Sequence, residues 1–209
     1  MQKQIYILRH GQTDFNSQGI IQGSGVDSSI NALGQRQANA FFAHYSHQPF
    51  ELVYTSMLQR THQTVRSFID KGIPWLERGE INEINWGVHE GLRSTKEMVA
   101  DYRRLITSWQ AGDFDARVKE GESAQELKNR LERFILELRH RSESNILVCC
   151  HGRVMRCLIC LIDGRPITEM ENYKHANTGL YKVAYRRGQF DIVLSNDISH
   201  LDQIEKEVV

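Results

Sequence analysis

The chain has 209 residues, of which 40% are hydrophobic and 25% are charged, with 26 Lys and Arg residues against 26 Asp and Glu residues. This composition excludes an intrinsically disordered or fibrous protein and predicts one or at most two globular domains. The formal net charge of zero excludes a global field that would hold nucleic acid or an acidic membrane surface, so a bound anion needs a local charge cluster.

Short apolar runs alternate with stretches of helical periodicity along the chain. Strands are predicted at residues 5–8, 52–55 and 146–150, and helices at 31–47, 57–70, 124–140 and 153–162. Asn31 is the predicted N-cap of the first helix. Residues 178–185 and 189–195 flank Arg187-Gly188 and predict a hairpin. The pattern predicts an α/β fold with a mixed, mainly parallel sheet and helices on both faces.

Residues 84–122 depart from this alternation, since they are rich in glycine, tryptophan and charge. We expect them to form a small cap insertion over one edge of the sheet, within a single domain that spans residues 1–209. Trp86, Trp109 and Phe114 either line a pocket there or hold the small core of the insertion. The tail from Gln203 is polar.

The four cysteines fall within twelve positions and are too closely spaced to cross-link a fold of this size. Cys157-Leu-Ile-Cys160 has the spacing of a redox or zinc motif, but no second pair accompanies it and the run is apolar, so we expect a buried structural role. The apolar run at residues 5–8 is shorter than a signal-peptide core, and no stretch is long enough for a membrane span. We therefore expect a cytoplasmic protein in a reducing compartment.

Basic residues and glycines follow three of the predicted strands. Arg9-His10-Gly11 follows the first strand, Ser56 and Arg60 follow the second, and His151-Gly152 follows the central strand. Because ligands bind beyond the carboxyl ends of strands in open α/β sheets, two arginines and two histidines are predicted to meet there. Guanidinium groups bind phosphate oxygens in pairs, and helix N-termini favour negative charge. A neutral imidazole is in addition a nucleophile near pH 7. Ser56 is the predicted N-cap that places Arg60 one turn into its helix.

Several ordered blocks with matching spacing carry a family resemblance. They are Arg9-His10-Gly11 with Asn16, Ser56-x-x-x-Arg60-Thr61-x-x-Thr64, Glu83 before Gly87 and Glu90-Gly91, Gly121-Glu122-Ser123, and His151-Gly152 with Arg156. One such string is weak, but the ordered set is strong. From residue 5 to about residue 201 the chain resembles the histidine phosphatase superfamily, the phosphoglycerate mutase-like family, and within it a phosphatase-type member.

The resemblance implies a role for each matching residue. His10 would be the nucleophile that becomes a phosphohistidine, and Glu83 would be the general acid and then the base, with Glu90 as the alternative carboxylate. The phosphoryl oxygens would be held by Arg9, Arg60 and His151. Assisting residues would be Asn16, Gln22, Gly23 and Gly152. The family uses no metal and no cofactor, so the implied partner is a small phosphorylated metabolite, with no nucleic acid or membrane and no indication of an oligomeric state.

Family members differ in what accepts the phosphoryl group, which is water in phosphatases and a second hydroxyl of a bound phosphoglycerate in mutases. Mutase-type members are longer and carry double-proline segments in the insertion, whereas residues 92–122 contain no proline. We therefore expect a phosphomonoester hydrolase, a histidine acid-type phosphatase. The alternatives are a cofactor-dependent phosphoglycerate mutase and an inactive phosphate-binding member, and the intact set of site residues argues against the latter.

The chain departs from the common family pattern at a few positions. Gln12 and His89 stand where many members carry Glu and Trp, and these differences bear on substrate identity rather than on the chemistry. We expect His200 to be structural. Four other histidines lie on predicted helix surfaces and are expected to be solvated, namely His44, His47, His62 and His140.

Overall fold

A six-stranded sheet forms the centre of the computed structural model, which describes residues 2–202 and 204. The strands are β1 Gln2–Arg9, β2 Leu52–Thr55, β3 Trp75–Glu77, β4 Asn145–Cys150, β5 Leu180–Arg186 and β6 Gln189–Asp197. Their order in the sheet is β3-β2-β4-β1-β5-β6. The first four are parallel, whereas β5 pairs antiparallel with both β1 and β6, so the predicted mixed, mainly parallel sheet and the terminal hairpin are confirmed.

Helices cover both faces of the sheet, as predicted. They are α1 Asp14–Gln18, α2 Ala32–Tyr45, α3 Gln59–Asp70, α4 Lys96–Gln110, α5 Ala124–His140 and α6 Gly152–Ile162. Short 3-10 helices occur at Gly79–Ile81, Gly87–His89, Ile167–Asn172 and Ser199–Leu201. One core lies between the sheet and α5 and α6, and the other lies between the sheet and α2 and α3.

The position of β4 explains its uninterrupted apolar sequence. It lies between β2 and β1, and its side chains alternate between the two cores. Ile146 and Val148 pack toward α5 and α6, while Leu147 and Cys149 pack toward α2 and α3. A central parallel strand is covered on both faces, so every position favours an apolar residue.

Local capping sets where most helices begin. Asn31 Oδ1 accepts the N–H of Gly34 and caps α2, as predicted, and Ser123 forms a capping box with Glu126 at the start of α5. The prediction for α3 was wrong at its start, because the helix begins at Gln59 and its N-cap is Leu58.

Ser56 is not the N-cap of α3 because its hydroxyl is used elsewhere. Its Oγ lies 2.8 Å from Nε2 of His151 and 3.1 Å from Oγ1 of Thr61, and it accepts the N–H of Leu58. The serine therefore links α3 to the end of β4 instead of starting a helix.

A buried lysine ties β1 to the end of α5. The Nζ of Lys3 donates to the carbonyl oxygens of Leu138 and Arg139, each at 2.7 Å. These carbonyls belong to the last turn of α5, where no intrahelical partner is available and a positive charge is favourable. The strand β1 starts at Gln2, before the apolar run at residues 5–8 that predicted it, because its ladder with β5 already pairs Gln2 with Arg186.

The segment between β3 and α5 contains most of what the sequence patterns did not predict. Residues 84–122, which we call the cap as in the prediction, include α4, and Trp109 of this helix is buried in the main core. The elements β3 and α1 were also not predicted. The polar tail predicted from Gln203 lies outside the described residues, apart from Ile204. Among residues 2–202 and 204, no helix combines the length and the apolar composition that crossing a bilayer requires.

The burial of individual side chains tests two further expectations, one for the cysteines and one for the histidines. Cys157 and Cys160 are fully buried in α6, as expected for structural cysteines, and burial raises the pKa of the Cys157 thiol to about 12. His44, His47 and His140 are exposed, but the prediction for His62 was wrong. The His62 ring is half-buried, with Nε2 2.7 Å from the carbonyl oxygen of Ser56 and 3.0 Å from the Glu77 carboxylate.

Candidate active site

The carboxyl ends of β1, β2 and β4 meet at one edge of the sheet. Arg9 pairs with Cys150 in register, and Thr55 pairs with Cys149, so the residues that follow these strands are neighbours. A cavity of about 170 Å³ opens at this edge. It is lined by Arg9, His10, Asn16, Gln22, Arg60, Glu83, Trp86, Tyr102, Gly152, Arg153 and His175. We call it the phosphate cavity, after the ligand that the family resemblance predicts for it.

His10 is buried, and its ring has a defined tautomer. Its Nδ1 lies 2.7 Å from the carbonyl oxygen of Gly11. Because a carbonyl oxygen only accepts, Nδ1 carries the proton, and Nε2 has the free lone pair of the neutral ring. Burial lowers the pKa of His10 well below its usual value, and the charges of Arg9 and Arg60 lower it further. The imidazole is therefore neutral at pH 7 and has a nucleophilic nitrogen available.

Arg60 is fully buried and held by three hydrogen bonds. Its Nε donates to Nδ1 of His151 at 3.1 Å, Nη1 donates to the carbonyl of Val26 at 2.7 Å, and Nη2 donates to the carbonyl of Gly23 at 3.2 Å. A guanidinium group has five N–H donors. The two that these bonds leave, one on each Nη, are available to an anion in the phosphate cavity.

His151 lies beside the phosphate cavity, but both of its ring nitrogens have protein partners. Nδ1 accepts from Arg60, so the neutral ring carries its proton on Nε2, which lies 2.8 Å from Oγ of Ser56. The ring centroids of His151 and His10 are 5.2 Å apart. Burial, Arg60 and His10 lower the pKa of His151 well below its usual value, so the ring is neutral. In this arrangement His151 fixes the direction of Arg60.

Three buried nitrogen atoms of residues that line the phosphate cavity have no hydrogen-bond partner among the described residues. They are Nε of Arg9, Nε of Arg153 and Nδ1 of His175. Burial lowers the pKa of Arg9 to about 10, which leaves it cationic at neutral pH. Burial and the charges of Arg9 and Arg156 lower the pKa of His175 to about 3, so its ring is neutral. Buried polar groups are nearly always satisfied, so unpaired groups around a cavity indicate a ligand-binding site, and the arginines favour an anion.

Glu83 is the carboxylate of this cavity, and its oxygens are held by backbone groups. Oε1 accepts the N–H of Ile84 at 3.0 Å and that of Val154 at 3.2 Å, while Oε2 accepts the N–H of Arg153 at 3.2 Å. Two of these donors are free N–H groups at the start of α6. The helix N-terminus that was expected to favour phosphate thus binds Glu83 and aims its carboxyl group at the cavity.

Glu90, the alternative carboxylate, is engaged in loop structure. Its Oε1 accepts the N–H of Trp86 and its Oε2 accepts the N–H of Gly25, both at 2.8 Å. A Cβ at Gly23 would lie 1.9 Å from Oε1 of Glu90 and 2.5 Å from the carbonyl oxygen of Ile84, so this position requires glycine. Glu90 therefore joins the loop at residues 23–25 to the cap.

Three of the four residues that were expected to assist at the site line the phosphate cavity, and Gly23 does not. Asn16 and Gln22 line it, and Gln22 is fixed by a 2.8 Å bond from its Nε2 to Oγ1 of Thr13. Gly23 contributes its carbonyl to Arg60. Gly152 also lines the cavity, and a Cβ there would lie 3.0 Å from Cε1 of His175, so glycine allows this histidine to approach.

The cap supplies a wall of aromatic residues around a buried arginine. The Arg153 guanidinium lies 6.0, 5.6 and 5.7 Å from the ring centroids of Trp86, Tyr102 and Trp109. It donates to the hydroxyl of Tyr102 and to the carboxylate of Glu171. Trp86 lines the cavity and also packs against the main core, in which Trp109 is buried and against which Phe114 packs, so these residues join the main core and not a separate small core of the insertion.

Sequence reasoning missed His175, Arg153 and Tyr102. The signal for His175 lies in topology, because β5 is antiparallel to β1 and pairs Leu180 with Leu8. The residues that precede β5 therefore lie beside those that follow β1. Asn177 confirms this proximity with a 3.0 Å bond from its Nδ2 to the carbonyl of His10. Within residues 2–202 and 204, no three His, Cys, Asp or Glu side chains are placed to hold a metal ion.

The fold and the site define an α/β protein with a compact, arginine-lined cavity that contains a neutral histidine and one carboxylate. Comparison with known proteins identifies the family to which the chain belongs. The model of the histidine phosphatase superfamily (branch 1) matches residues 5–198, and the chain belongs to this superfamily.

Relatives within the superfamily carry different names. The chain is 35% identical over 187 residues to "6-phosphofructo-2-kinase/fructose-2,6-bisphosphatase 3" of Rattus norvegicus, covering 87% of this chain but only 32% of that protein. It is 30% identical over 208 residues to "Probable phosphoglycerate mutase GpmB" of Shigella dysenteriae, covering 95% of each chain. Among solved structures, the α-ribazole phosphatase of Shigella flexneri has a TM-score of 0.82 and 25% identity, covering 93% of this chain and 96% of that one.

Proposed function

We propose that the protein hydrolyses small phosphomonoesters through a phosphohistidine intermediate on His10. One observation carries the proposal, namely a neutral imidazole with a free Nε2 in a buried cavity that also holds Arg9 and Arg60. Phosphoryl transfer needs chiefly positioning and charge neutralisation, which the two arginines supply. Relatives named as phosphatases support the hydrolytic class.

The first half of the proposed reaction transfers the phosphoryl group to the protein. Nε2 of His10 attacks phosphorus with its lone pair, and the bond between phosphorus and the leaving oxygen breaks. The carboxyl group of Glu83 gives its proton to that oxygen, and the alcohol departs. Arg9 and the two free N–H groups of Arg60 bind the equatorial oxygens of the phosphoryl group. The hydrogen bond from Arg60 to His151 fixes the orientation of the Arg60 side chain.

The second half returns the phosphoryl group to water. The Glu83 carboxylate accepts a proton from water as the water oxygen attacks phosphorus, and the bond between phosphorus and Nε2 of His10 breaks. Inorganic phosphate leaves, and both residues regain their first protonation states. Asn16, Gln22 and Gly152 complete the wall around the transferred group.

Hydrolysis of p-nitrophenyl phosphate tests this proposal. We expect wild-type turnover and its loss in His10→Ala, because the variant has no nucleophile. Equal rates for the two proteins would contradict an enzymatic role for the site and favour an inactive phosphate-binding member.

A mutase is the second candidate, and the relative named as a phosphoglycerate mutase supports it. Supplying 3-phosphoglycerate with catalytic 2,3-bisphosphoglycerate separates the two activities. We expect release of inorganic phosphate without 2-phosphoglycerate, whereas efficient isomerisation would replace the hydrolase with a cofactor-dependent mutase.

We also propose that the protein acts in a reducing, cytoplasmic compartment. Its four cysteines are free and buried, as suits a chain that folds with reduced thiols.

A further inference from the structure

A second cavity, of about 250 Å³, adjoins the phosphate cavity and is lined mainly by apolar side chains of the cap. Gln22, Trp86 and Tyr102 line both cavities, so a group bound in one lies within reach of the other. The rest of the wall comes from Met98 and Val99 of α4 and from Ile21, His89, Ser94 and Val118. We call this space the apolar cavity.

The shape of the apolar cavity is fixed without a ligand. Trp86 stacks on the buried Trp109 with ring centroids 6.4 Å apart, and it meets Tyr102 edge to face at 5.6 Å. Arg153 lies against these rings and donates to the Tyr102 hydroxyl. A preformed wall of this kind binds a ligand without first paying the cost of ordering side chains.

We propose that the apolar cavity binds the leaving group of the substrate, and that this group is an aromatic or aliphatic alcohol; the proposal rests on the hydrolysis proposed at His10. An apolar cavity of about 150 Å³ is large enough for benzene, so about 250 Å³ admits a substituted ring or a short alkyl chain. A group bound in the apolar cavity can be joined to a phosphate bound in the phosphate cavity, because the two cavities share three lining residues.

The polar groups of the apolar cavity favour this class over a polyhydroxylated alcohol. The Gln22 amide is already bonded to Thr13 and Ser28, so it offers little to a sugar hydroxyl. Buried hydroxyls without partners carry a desolvation cost. His89 and Ser94 can each bind one polar substituent at the margin.

The exposure of apolar side chains in the cap agrees with this class. Val99 and Tyr102, which line the apolar cavity, remain partly exposed, as do Val88 and Leu92 of the same segment. Exposed apolar residues beside a pocket are typical of a binding surface. A substrate with an apolar leaving group would cover part of this surface.

Binding of n-alkylphosphonates, which have no hydrolysable ester bond, tests the proposal by calorimetry. From methyl- to hexylphosphonate we expect Kd to fall about fourfold per added methylene, equivalent to ~0.8 kcal/mol each, until the cavity is filled. Val99→Asn should weaken hexylphosphonate by about fivefold to tenfold and leave methylphosphonate unchanged. Val193→Asn is the matched control, because Val193 is an exposed valine on β6, and this variant should bind both as wild type does.

Turnover of p-nitrophenyl phosphate, measured on the same preparations, separates the two proposals. A Kd that does not change with chain length, in a protein that hydrolyses this ester, would overturn the apolar site and leave the hydrolase intact. Chain-length dependence that Val99→Asn weakens and Val193→Asn leaves unchanged supports the apolar site, even if the ester is not hydrolysed and the proposed reaction fails. An equal loss in Val99→Asn and Val193→Asn would also overturn the site.

Discussion

Glu83→Gln tests the assignment of the general acid. The substitution should change both the stability of the protein and its rate of catalysis, and the structure allows the two effects to be estimated separately. Three backbone N–H groups donate to the Glu83 carboxylate. Glutamine has one carbonyl oxygen and one NH₂ group, so at least one of these N–H groups would face a donor. A buried unsatisfied donor costs about 1–3 kcal/mol. For a chain of this size we expect Tm to fall by about 2–12 °C, at ~2–4 °C per kcal/mol.

The effect of Glu83→Gln on rate depends on the leaving group. The amide cannot protonate the leaving oxygen, so turnover of an alkyl phosphate should fall by about 10²–10⁴. p-Nitrophenyl phosphate should be slowed less, because its phenolate leaves without a proton. Steady-state kcat on both esters, measured well below the Tm of the variant, gives the ratio.

Glu90→Gln is the matched control for this prediction. Its carboxylate also accepts two backbone N–H groups, from Trp86 and Gly25, so the variant should lose comparable stability. It should slow both esters by the same factor. If Glu83→Gln also slows both equally, Glu83 is a structural residue of the loop and not the acid.

Three further predictions concern packing, capping and pH. Gly152→Ala should displace His175, whose Cε1 would be 3.0 Å from the new Cβ, and lower kcat/KM for p-nitrophenyl phosphate by about tenfold; unchanged kinetics would contradict a role for His175 in the cavity. Lys3→Met should lower the free energy of unfolding in urea by about 1.5–3 kcal/mol without changing kcat, because two carbonyls of α5 lose their donor; unaltered stability would refute this cap. Burial lowers the pKa of His200 from 6.5 to about 4, so the unfolded chain binds the proton more tightly, and wild type should lose about 2 kcal/mol at this site between pH 7.5 and pH 5. His200→Asn should lose correspondingly less, and identical pH dependence of the two proteins would contradict the shift.

The sequence was sufficient to predict the edge of the sheet at which the site lies. Apolar runs marked β1, β2 and β4, and the chemistry-bearing residues came directly after each strand. Parallel pairing then brings His10 and Arg60 together without any knowledge of side-chain positions. Glu83 comes from a loop, so its place in the cavity depended on the family resemblance.

The helix α4 was not predicted within the expected cap, although the signal was present. Met98, Tyr102, Leu105, Ile106 and Trp109 recur at offsets 0, 4, 7, 8 and 11, the same spacing that predicted α5. Only part of this apolar stripe is buried, because α4 covers a cavity as well as the core. The surrounding glycines and charges therefore masked a helix whose partly exposed apolar residues line the apolar cavity.

Details of side-chain direction depend on tertiary contacts that no sequence period reports. The ring of His151 was expected to hold a phosphoryl oxygen, yet it binds Ser56 and Arg60. Likewise, the first N–H groups of α6 bind Glu83. In both cases the residue type was informative about location, while the hydrogen-bond partner was decided by neighbours distant in the chain.

The central claim is that His10 carries the phosphoryl group during turnover. A rapid-quench experiment with a phosphomonoester labelled in its phosphate, followed by peptide mapping under alkaline conditions that preserve phosphohistidine, tests it directly. We expect label on the peptide containing His10, formed and lost at rates that account for turnover, and no label in His10→Ala. Turnover without label on His10, or label retained in His10→Ala, would contradict the mechanism.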